Sequence, residues 1–307
     1  MPQGILPINK PIGVRSTLCV ERVKRALGRG VKVGHGGTLD STASGVLVLL
    51  IGGATRLSGF IMRMPKVYRA LVRLGVETTT CDYAGEPSGG ASWRGVVDED
   101  VDLALISCLG WRMQVPPKVS AVHVGGRRAH EVFRGGSDPD VKPRPVFVES
   151  ARRVTPISTE GEFSLMIKCG KGTYVRSIAR DIGRFLGCGA HLGALERESI
   201  GPFKLPRAFD FDPESGPDGR RIVESLLPPE AMGEFLPAYD VTEEDATRLE
   251  RGLPVPFSRA SRRTLGCSPA AGEILLVSDG LCSVAGLGRR DGCLCMLPEV
   301  NIVSDKS

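Results

Sequence analysis

The sequence predicts an α+β (mixed α/β) protein that ends in a small β-barrel, and three patterns support this. Residues 66–75, KVYRALVRLG, place Tyr68 on the more apolar of two alternating faces, as in a strand. Residues 175–186 repeat apolar side chains at the three- and four-residue spacing of an amphipathic helix. Roughly the last 65 residues are short apolar runs separated by glycine turns, which is typical of a small barrel.

Length and composition indicate a globular enzyme rather than a fibrous, disordered or membrane protein. The 307 residues suit one large domain with a smaller one, and 41% are hydrophobic and 24% charged. No apolar run approaches the roughly 20 residues that span a bilayer, and no secretory signal precedes the first helix. The nine cysteines form no CxxC pair, so we expect free thiols in the reducing cytoplasm.

Positive charge is concentrated in the first quarter of the chain. Residues 1–73 contain twelve Lys and Arg but only two acidic residues, whereas the whole chain has a net charge of +5. Such a surplus around one loop favours a polyanionic partner such as nucleic acid. The alternative is a basic face that is only solvated, and charge alone leaves both open.

The first predicted elements are a helix, a glycine-rich loop and a buried strand. Ser16 or Thr17 can cap the helix, which ends at Gly28. The loop, GHGGTLDSTASG, is poor in bulky side chains and contains one carboxylate, Asp40. The apolar run from residue 45 to 51 predicts a buried strand that anchors the end of the loop. Asp40 is therefore a candidate functional residue, although a turn or capping aspartate is the alternative.

The later elements follow from proline, glycine and periodicity. Further predicted helices and strands lie near residues 55–63, 99–109, 127–136, 144–154 and 162–170. In the helix after residue 174, Arg176, Arg180 and Arg184 line another face at steps of four, and we expect such a stripe to face solvent. Residues 202–237 are rich in Pro, Gly and acids and predict a linker. Thr242 and Asp245 then form a capping-box pattern.

The loop motif GHGGTLDSTASGVL resembles the catalytic loop of TruB-type tRNA pseudouridine synthases, a family in which the aspartate is catalytic. Five further blocks resemble that family in its order. They are GILPINKPIGVRS, YRALVRLGVETTTCDYAGE, QVPPKVSAVHVGGRRAHEVFRGG, RPVFV and CGKGTYVRSIARDIGRFLGCGAHLGALERESIGPF. The resemblance covers roughly residues 4–203, and the C-terminal strands resemble, more weakly, a PUA-like RNA-binding domain.

This resemblance implies a fold, a reaction and a partner. Residues 1–232 are expected to form a pseudouridine synthase domain, built on a largely antiparallel mixed sheet flanked by helices, and residues 238–307 a PUA-like domain. The implied reaction isomerises uridine 55 in the T-loop of tRNA to pseudouridine. It is redox-neutral and loses no atoms, so no nucleotide, metal or other cofactor is expected. The implied protein is a cytoplasmic monomer that binds the T-arm of tRNA.

The resemblance also assigns the catalytic residues. Asp40 matches the catalytic carboxylate, and Arg176 matches the arginine that pairs with it. Arg180 and Arg184 are then expected to be surface or RNA-facing charges. That pairing matters because burial favours the neutral form of a carboxyl group, which a nearby arginine opposes. Tyr68 matches the aromatic platform for the flipped base, and it is a candidate acceptor of the proton that leaves carbon. From the pattern alone, Tyr68 also fits a core tyrosine whose hydroxyl finds a partner.

Three further residues match positions that contact the substrate in that family. Tyr174 and Leu195 match residues that line the base pocket, and His35 matches the histidine that helps displace the flipped base. Without the resemblance His35 is a turn histidine. The chain departs from the family pattern at Ser41, where proline is usual, and at Thr79, where an acid is common.

Other functions remain open at this point. One is a related enzyme that acts on another RNA, either with a guide RNA or on mRNA. Another is an RNA-binding or tRNA-folding module whose catalysis is vestigial. A third is a metal hydrolase that uses His35, Asp40 and a second histidine, but the four histidines lack metal-ligand spacing.

Overall fold

The computed structural model describes residues 1–214, 216–264 and 272–303. The strands are β1 Gly4–Lys10, β2 Val33–His35, β3 Ser44–Ile51, β4 Lys66–Leu74, β5 Glu77–Thr78, β6 Pro87–Gly89, β7 Gly110–Gln114, β8 His123–Val124, β9 Arg127–Arg128, β10 Arg144–Arg153, β11 Glu162–Cys169, β12 Ala190–Ile200, β13 Phe203–Lys204, β14 Phe209–Asp210, β15 Ala238–Asp240, β16 Val255–Pro256, β17 Ser261–Thr264, β18 Glu273–Ser278, β19 Leu281–Arg290 and β20 Cys293–Val303. The α-helices are α1 Ser16–Leu27, α2 Ser58–Arg63, α3 Asp98–Ser107, α4 Ala129–Arg134, α5 Val175–Phe185, α6 Gly219–Glu224 and α7 Glu243–Glu250.

The chain folds into two compact units. One contains Met1–Leu39, Val46–Met62 and Gly201–Ser307, and the other contains Asp40–Gly45 and Arg63–Ile200. The expected domain boundaries, 1–232 and 238–307, stay a prediction. Among the described residues, no helix is long and apolar enough to cross a bilayer. Cys267 lies outside the described residues, and the other cysteines are free thiols.

The second unit is built on a sheet with β4 near its centre. The strand order is β12-β4-β11-β10-β7, and each of these neighbours is antiparallel. Alternate residues of β4 are buried, including Tyr68 and Val72, as the sequence pattern predicts. Helix α5 packs on β4 and β12 and buries Ile178, Ala179 and Ile182. The mixed α/β class with a largely antiparallel sheet is confirmed.

One expectation for α5 is wrong. Arg180 was expected to face solvent or RNA but is only 9% exposed. Its Nη2 donates to the backbone oxygen of Val115 at 3.0 Å and to the Asp181 carboxylate at 2.8 Å. Periodicity assigns Arg180 to a polar stripe, but it cannot show that the segment after β7 covers that stripe. Arg184, one turn further, does lie at the surface, where it binds Glu77.

The first unit contains α1, and the start of this helix differs from the predicted one. Arg15 is the N-cap residue, and no side chain caps the helix. Ser16 instead lies inside the helix, where its hydroxyl donates to the backbone oxygen of Leu39 and accepts from its N–H. Both bonds are buried, so Ser16 fixes the residue immediately before Asp40.

The segment predicted as a linker is folded within the first unit. Strand β14 pairs in parallel with β1, with Phe209 opposite Ile8, and α6 packs against α1. The C-terminal strands form a sheet in the order β16-β20-β19-β18-β15-β17, consistent with the expected PUA-like fold. The predicted cap of α7 is present, because the Thr242 hydroxyl accepts from the Asp245 N–H at 3.2 Å.

Candidate active site

The loop that carries Asp40 leads into β3, whose second residue, Gly45, has a backbone conformation that favours glycine. Gly45 has a φ of +105°, a backbone conformation that L side chains rarely adopt. Here β3 pairs in parallel with β12, with Ser44 opposite Glu196 and Gly45 opposite Arg197. A Cβ atom on Gly45 would collide with the backbone oxygen of Arg197 and lie 2.7 Å from its nitrogen. Close backbone approach therefore fixes the exit of the loop.

Asp40 and Arg176 form the central ion pair of this region. The Nη2 atom of Arg176 lies 2.8 Å from Oδ2 of Asp40. The arginine side chain is 5% exposed, whereas the aspartate side chain is 41% exposed. Arg176 comes from the first turn of α5, far along the chain from the loop. The pair therefore consists of a partly exposed carboxylate bound to a buried guanidinium.

A second carboxylate, Asp82, supports Arg176 from behind. Arg176 Nη1 donates to the backbone oxygen of Thr80 at 3.2 Å and lies 3.7 Å from Oδ2 of Asp82. Asp82 is 3% exposed and accepts from the Thr80 hydroxyl and from the Ala84 N–H. It also accepts from the Thr42 hydroxyl at 3.2 Å. Because Thr42 belongs to the Asp40 loop, Asp82 connects that loop to the arginine.

The Asp40 charge raises the pKa of two tyrosines, Tyr68 and Tyr174. Tyr68 is 8% exposed, and burial is the main cause of its raised pKa, whereas the Arg197 charge lowers it. Burial also raises the pKa of Tyr174, and the Asp40 charge raises it further. Both phenols are therefore protonated at neutral pH and can donate a hydrogen bond. The two rings and the carboxylate belong to one unit of the fold.

The remaining expected residues divide between the two units. Leu195, 7% exposed, lies on β12 opposite Ala70 and shares a sheet face with Tyr68. Tyr174 precedes α5, and its backbone is held by the Gln114 side chain, which accepts from its N–H and donates to its oxygen. His35 lies on β2 in the first unit, where its Nδ1 accepts from the Gly37 N–H.

Three residues that support this arrangement do not follow from the sequence: Thr80, Asp82 and Arg197. Thr80 and Asp82 lie against Arg176, and Arg197 lies opposite Tyr68. The segment TTTCD carried a usable signal, because an aspartate flanked by hydroxyl residues is typical of a tight turn with side-chain hydrogen bonds. Nothing in the local sequence marks Arg197 as buried, since charged residues flank it.

The family comparison divides the matched region into two parts. Residues 24–175 match the TruB family pseudouridylate synthase N-terminal domain. Residues 176–212 match the tRNA pseudouridylate synthase B C-terminal domain. The first of these matches includes Asp40, Tyr68 and Tyr174, and the second begins at Arg176.

Curated relatives align with most of the chain. A protein of Dehalococcoides mccartyi named "tRNA pseudouridine synthase B" is 40% identical over 256 residues, which cover 82% of this chain and 83% of the relative. A protein of the same name from Parasynechococcus marenigrum is 35% identical over 289 residues, which cover 94% of each chain.

Solved structures support the fold. A chain in the "Crystal Structure of a Cbf5-Nop10-Gar1 Complex" superposes with a TM-score of 0.71 over 98% of this chain and 84% of that one. The two sequences are 23% identical, so this likeness concerns the architecture alone.

Proposed function

The chain belongs to the TruB family of pseudouridylate synthases, and from this premise we propose that it converts uridine 55 in the T-loop of tRNA to pseudouridine. The observation that carries the proposal is the half-exposed Asp40 carboxylate, held at 2.8 Å by a buried arginine. We further propose that the enzyme binds the T-arm and acts as a monomer in the cytoplasm.

The reaction asks for one ionised carboxylate and a closed base pocket. The bond from the ribose C1′ to N1 of the base breaks, the base turns, and C1′ bonds to C5. The C5 proton leaves and N1 gains a proton, so atoms and electrons balance without a redox partner. In this proposal Asp40 is the catalytic carboxylate. Arg176 orients this carboxylate through the ion pair.

The target base must leave its stack before Asp40 can reach it. Flipping a nucleotide out of folded RNA costs a few kcal/mol, and stacking on an aromatic ring returns on the order of 1–3 kcal/mol per base. We assign that ring to Tyr68 and propose that its hydroxyl relays the C5 proton, with the oxygen accepting this proton while the phenol hydrogen passes on toward N1 or solvent. Tyr174 and Leu195 line the pocket in this proposal, and His35 helps displace the base from the T-loop.

Tritium release tests the proposal directly. A tRNA transcript labelled with tritium at C5 of its uridines should lose one equivalent of label per tRNA, because only one C5–H bond is broken. A transcript with cytidine at position 55 is the matched control and should lose none. Carbodiimide derivatisation followed by primer extension should place the single pseudouridine at position 55.

The same assay separates the alternatives. Release from a purified transcript without any other RNA argues against a guide-dependent enzyme. Tight binding of tRNA without release would indicate an RNA-binding or folding protein with vestigial catalysis. Release from the control transcript would place the target elsewhere and overturn the position-55 assignment.

A further inference from the structure

Arg197 is a buried cation that touches both the Asp40 loop and Tyr68. It is 2% exposed and lies on β12, directly opposite Tyr68 on β4. Directly opposed residues on neighbouring strands project to the same face, with Cβ atoms about 4.5–5.5 Å apart. The Arg197 guanidinium acts on the Tyr68 hydroxyl by its charge and by hydrogen bonding, and both lower the phenol pKa against the larger effect of burial.

The backbone of the same residue meets the end of the catalytic loop. Gly45 pairs with Arg197 in parallel, and their backbones approach so closely that a Cβ atom on Gly45 would collide. One residue thus contacts the loop through its main chain and the tyrosine through its side chain. Any shift of β12 along its axis would move both contacts together.

We propose that Arg197 is a positioning residue that fixes the Tyr68 hydroxyl relative to the Asp40 loop. The inference rests on the proposed function, because it gives Tyr68 a part in the reaction. It assigns Arg197 no contact with the substrate. Its effect passes through the hydrogen bond to Tyr68.

Energetics favour this assignment over a purely structural one. A buried guanidinium loses its hydration, and replacing buried charges by apolar residues of similar volume is often neutral or stabilising. Here the unfavourable environment is enhanced by a second buried cation. Lys66 is 7% exposed, and burial together with Arg197 lowers its pKa to about 8. Unfavourable burial of charge of this kind occurs mostly at functional sites.

The hydrogen bond gives the tyrosine a defined orientation. Arg197 has only donors, so it occupies a lone pair of the phenol oxygen. The phenol hydrogen must then point away from the guanidinium. The cation also favours the phenolate, which opposes the effect of burial on the pKa of Tyr68. Without Arg197 the hydroxyl can rotate, and the phenol releases its proton less readily.

The kinetic test compares three substitutions in steady-state assays, which give kcat and KM. Arg197→Met removes the donor and the charge with little loss of volume, and we expect kcat to fall about tenfold or more with KM for tRNA within about threefold. Arg197→Lys restores the charge and should recover part of kcat. In a Tyr68→Phe background, Arg197→Met should cost less than about threefold more, because the two residues act as one unit.

Arg69→Met is the matched control. Arg69 lies on β4 next to Tyr68 but faces the other side of the sheet, where it binds Glu198 of β12 at 2.9 Å. The control therefore removes an arginine contact between the same two strands without touching the site. It should leave kcat unchanged.

A spectroscopic test works without turnover. In protein labelled with 3-fluorotyrosine, Tyr68→Phe identifies the Tyr68 resonance among those of the four tyrosines. That resonance should shift in Arg197→Met and stay in place in Arg69→Met. No shift, or independent and multiplicative losses of kcat, would overturn the inference. If tRNA proves not to be the substrate, the fluorine spectrum still decides whether Arg197 sets the tyrosine.

Discussion

The Arg176 guanidinium meets the Asp40 carboxylate at 2.8 Å, and the two partners differ sharply in exposure, at 5% and 41%. An ion pair that is open to water on one side contributes little to stability. The pair instead fixes the position of the carboxylate, because Thr80 and Asp82 hold the Arg176 guanidinium on its other side. A fixed cation thus restricts where the Asp40 oxygens can be.

Asp40→Asn should abolish isomerisation and leave RNA binding intact. Asparagine keeps the shape of the side chain and can still accept from Arg176, but it carries no charge. We expect the single-turnover rate to fall by about a thousandfold or more, in the range seen for catalytic groups. Filter binding at fixed salt should give a Kd for tRNA within about threefold of wild type. A rate within tenfold of wild type would contradict the catalytic assignment of Asp40.

Asp82→Asn should lower the rate through Arg176. The substitution removes the charge 3.7 Å from Nη1 of the arginine but keeps a side chain of the same size. Asp82 is buried and accepts from Thr42, so we expect a fall in kcat of about tenfold to a hundredfold. The free energy of unfolding should fall by about 1–3 kcal/mol, as for other buried polar groups left poorly paired.

Thr42→Val separates the two contributions of Asp82. It removes the hydrogen bond between the loop and Asp82 but leaves the carboxylate beside Arg176. A loss of kcat in Asp82→Asn that exceeds the loss in Thr42→Val indicates an effect through the arginine. Wild-type kcat in Asp82→Asn, with only reduced stability, would make Asp82 a structural residue.

The sequence predicts elements well and long-range contacts poorly. Strand β4 and helix α5 follow from periodicity, because alternate residues of β4 are buried and the apolar stripe of α5 packs on β4 and β12. The same reasoning misplaces Arg180, whose burial depends on the backbone oxygen of Val115, a residue 65 positions away. Periodicity reports which side chains share a face. It does not report what covers that face.

The site was predictable only in part for the same reason. The pairing of Asp40 with Arg176 came from family resemblance, since no local pattern connects positions so far apart in the chain. Ser16 or Thr17 was expected to cap α1, but Arg15 is the N-cap residue and the Ser16 hydroxyl binds Leu39 instead. A serine near a helix start satisfies either partner equally well, and tertiary packing decides between them.

Gly45→Ala should be far more damaging than substitution of a positive-φ glycine that has open space around it. The new methyl group would collide with the backbone of Arg197, which cannot move without breaking the pairing of β3 with β12. We expect the free energy of unfolding to fall by about 3 kcal/mol or more, combining overpacking with backbone strain. Urea denaturation followed by circular dichroism measures the change.

Gly187→Ala is the control for backbone strain alone. Gly187 has a φ of +75°, and a Cβ atom there would have no neighbour within 4 Å. We expect this variant to lose about 1–2 kcal/mol, the usual penalty for an L residue in the left-handed region. Equal losses in the two variants would mean that the contact with Arg197 is unimportant.

Lys66 should make stability depend on pH in the alkaline range. Its pKa is about 8 in the native state, against 10.5 for an unperturbed lysine, mainly because the side chain is buried. Between these two values the unfolded chain holds the proton that the native state has released. The unfolding free energy therefore rises with pH across this window, by up to roughly 3 kcal/mol from this group.

Lys66→Met isolates that contribution. At pH 7 the buried, charged lysine destabilises the folded protein. The variant should therefore be more stable than wild type by about 1–3 kcal/mol. The lost hydrogen bond from Lys66 Nζ to the Met64 oxygen reduces the gain. Urea denaturation at pH 7 and at pH 9.5 should show that the difference in unfolding free energy between the two proteins shrinks as pH rises.

The buried Cys169 thiol, whose pKa is raised to about 11, acts in the opposite direction but is present in both proteins. A difference that is the same at both pH values would mean that Lys66 keeps an ordinary pKa in the folded protein.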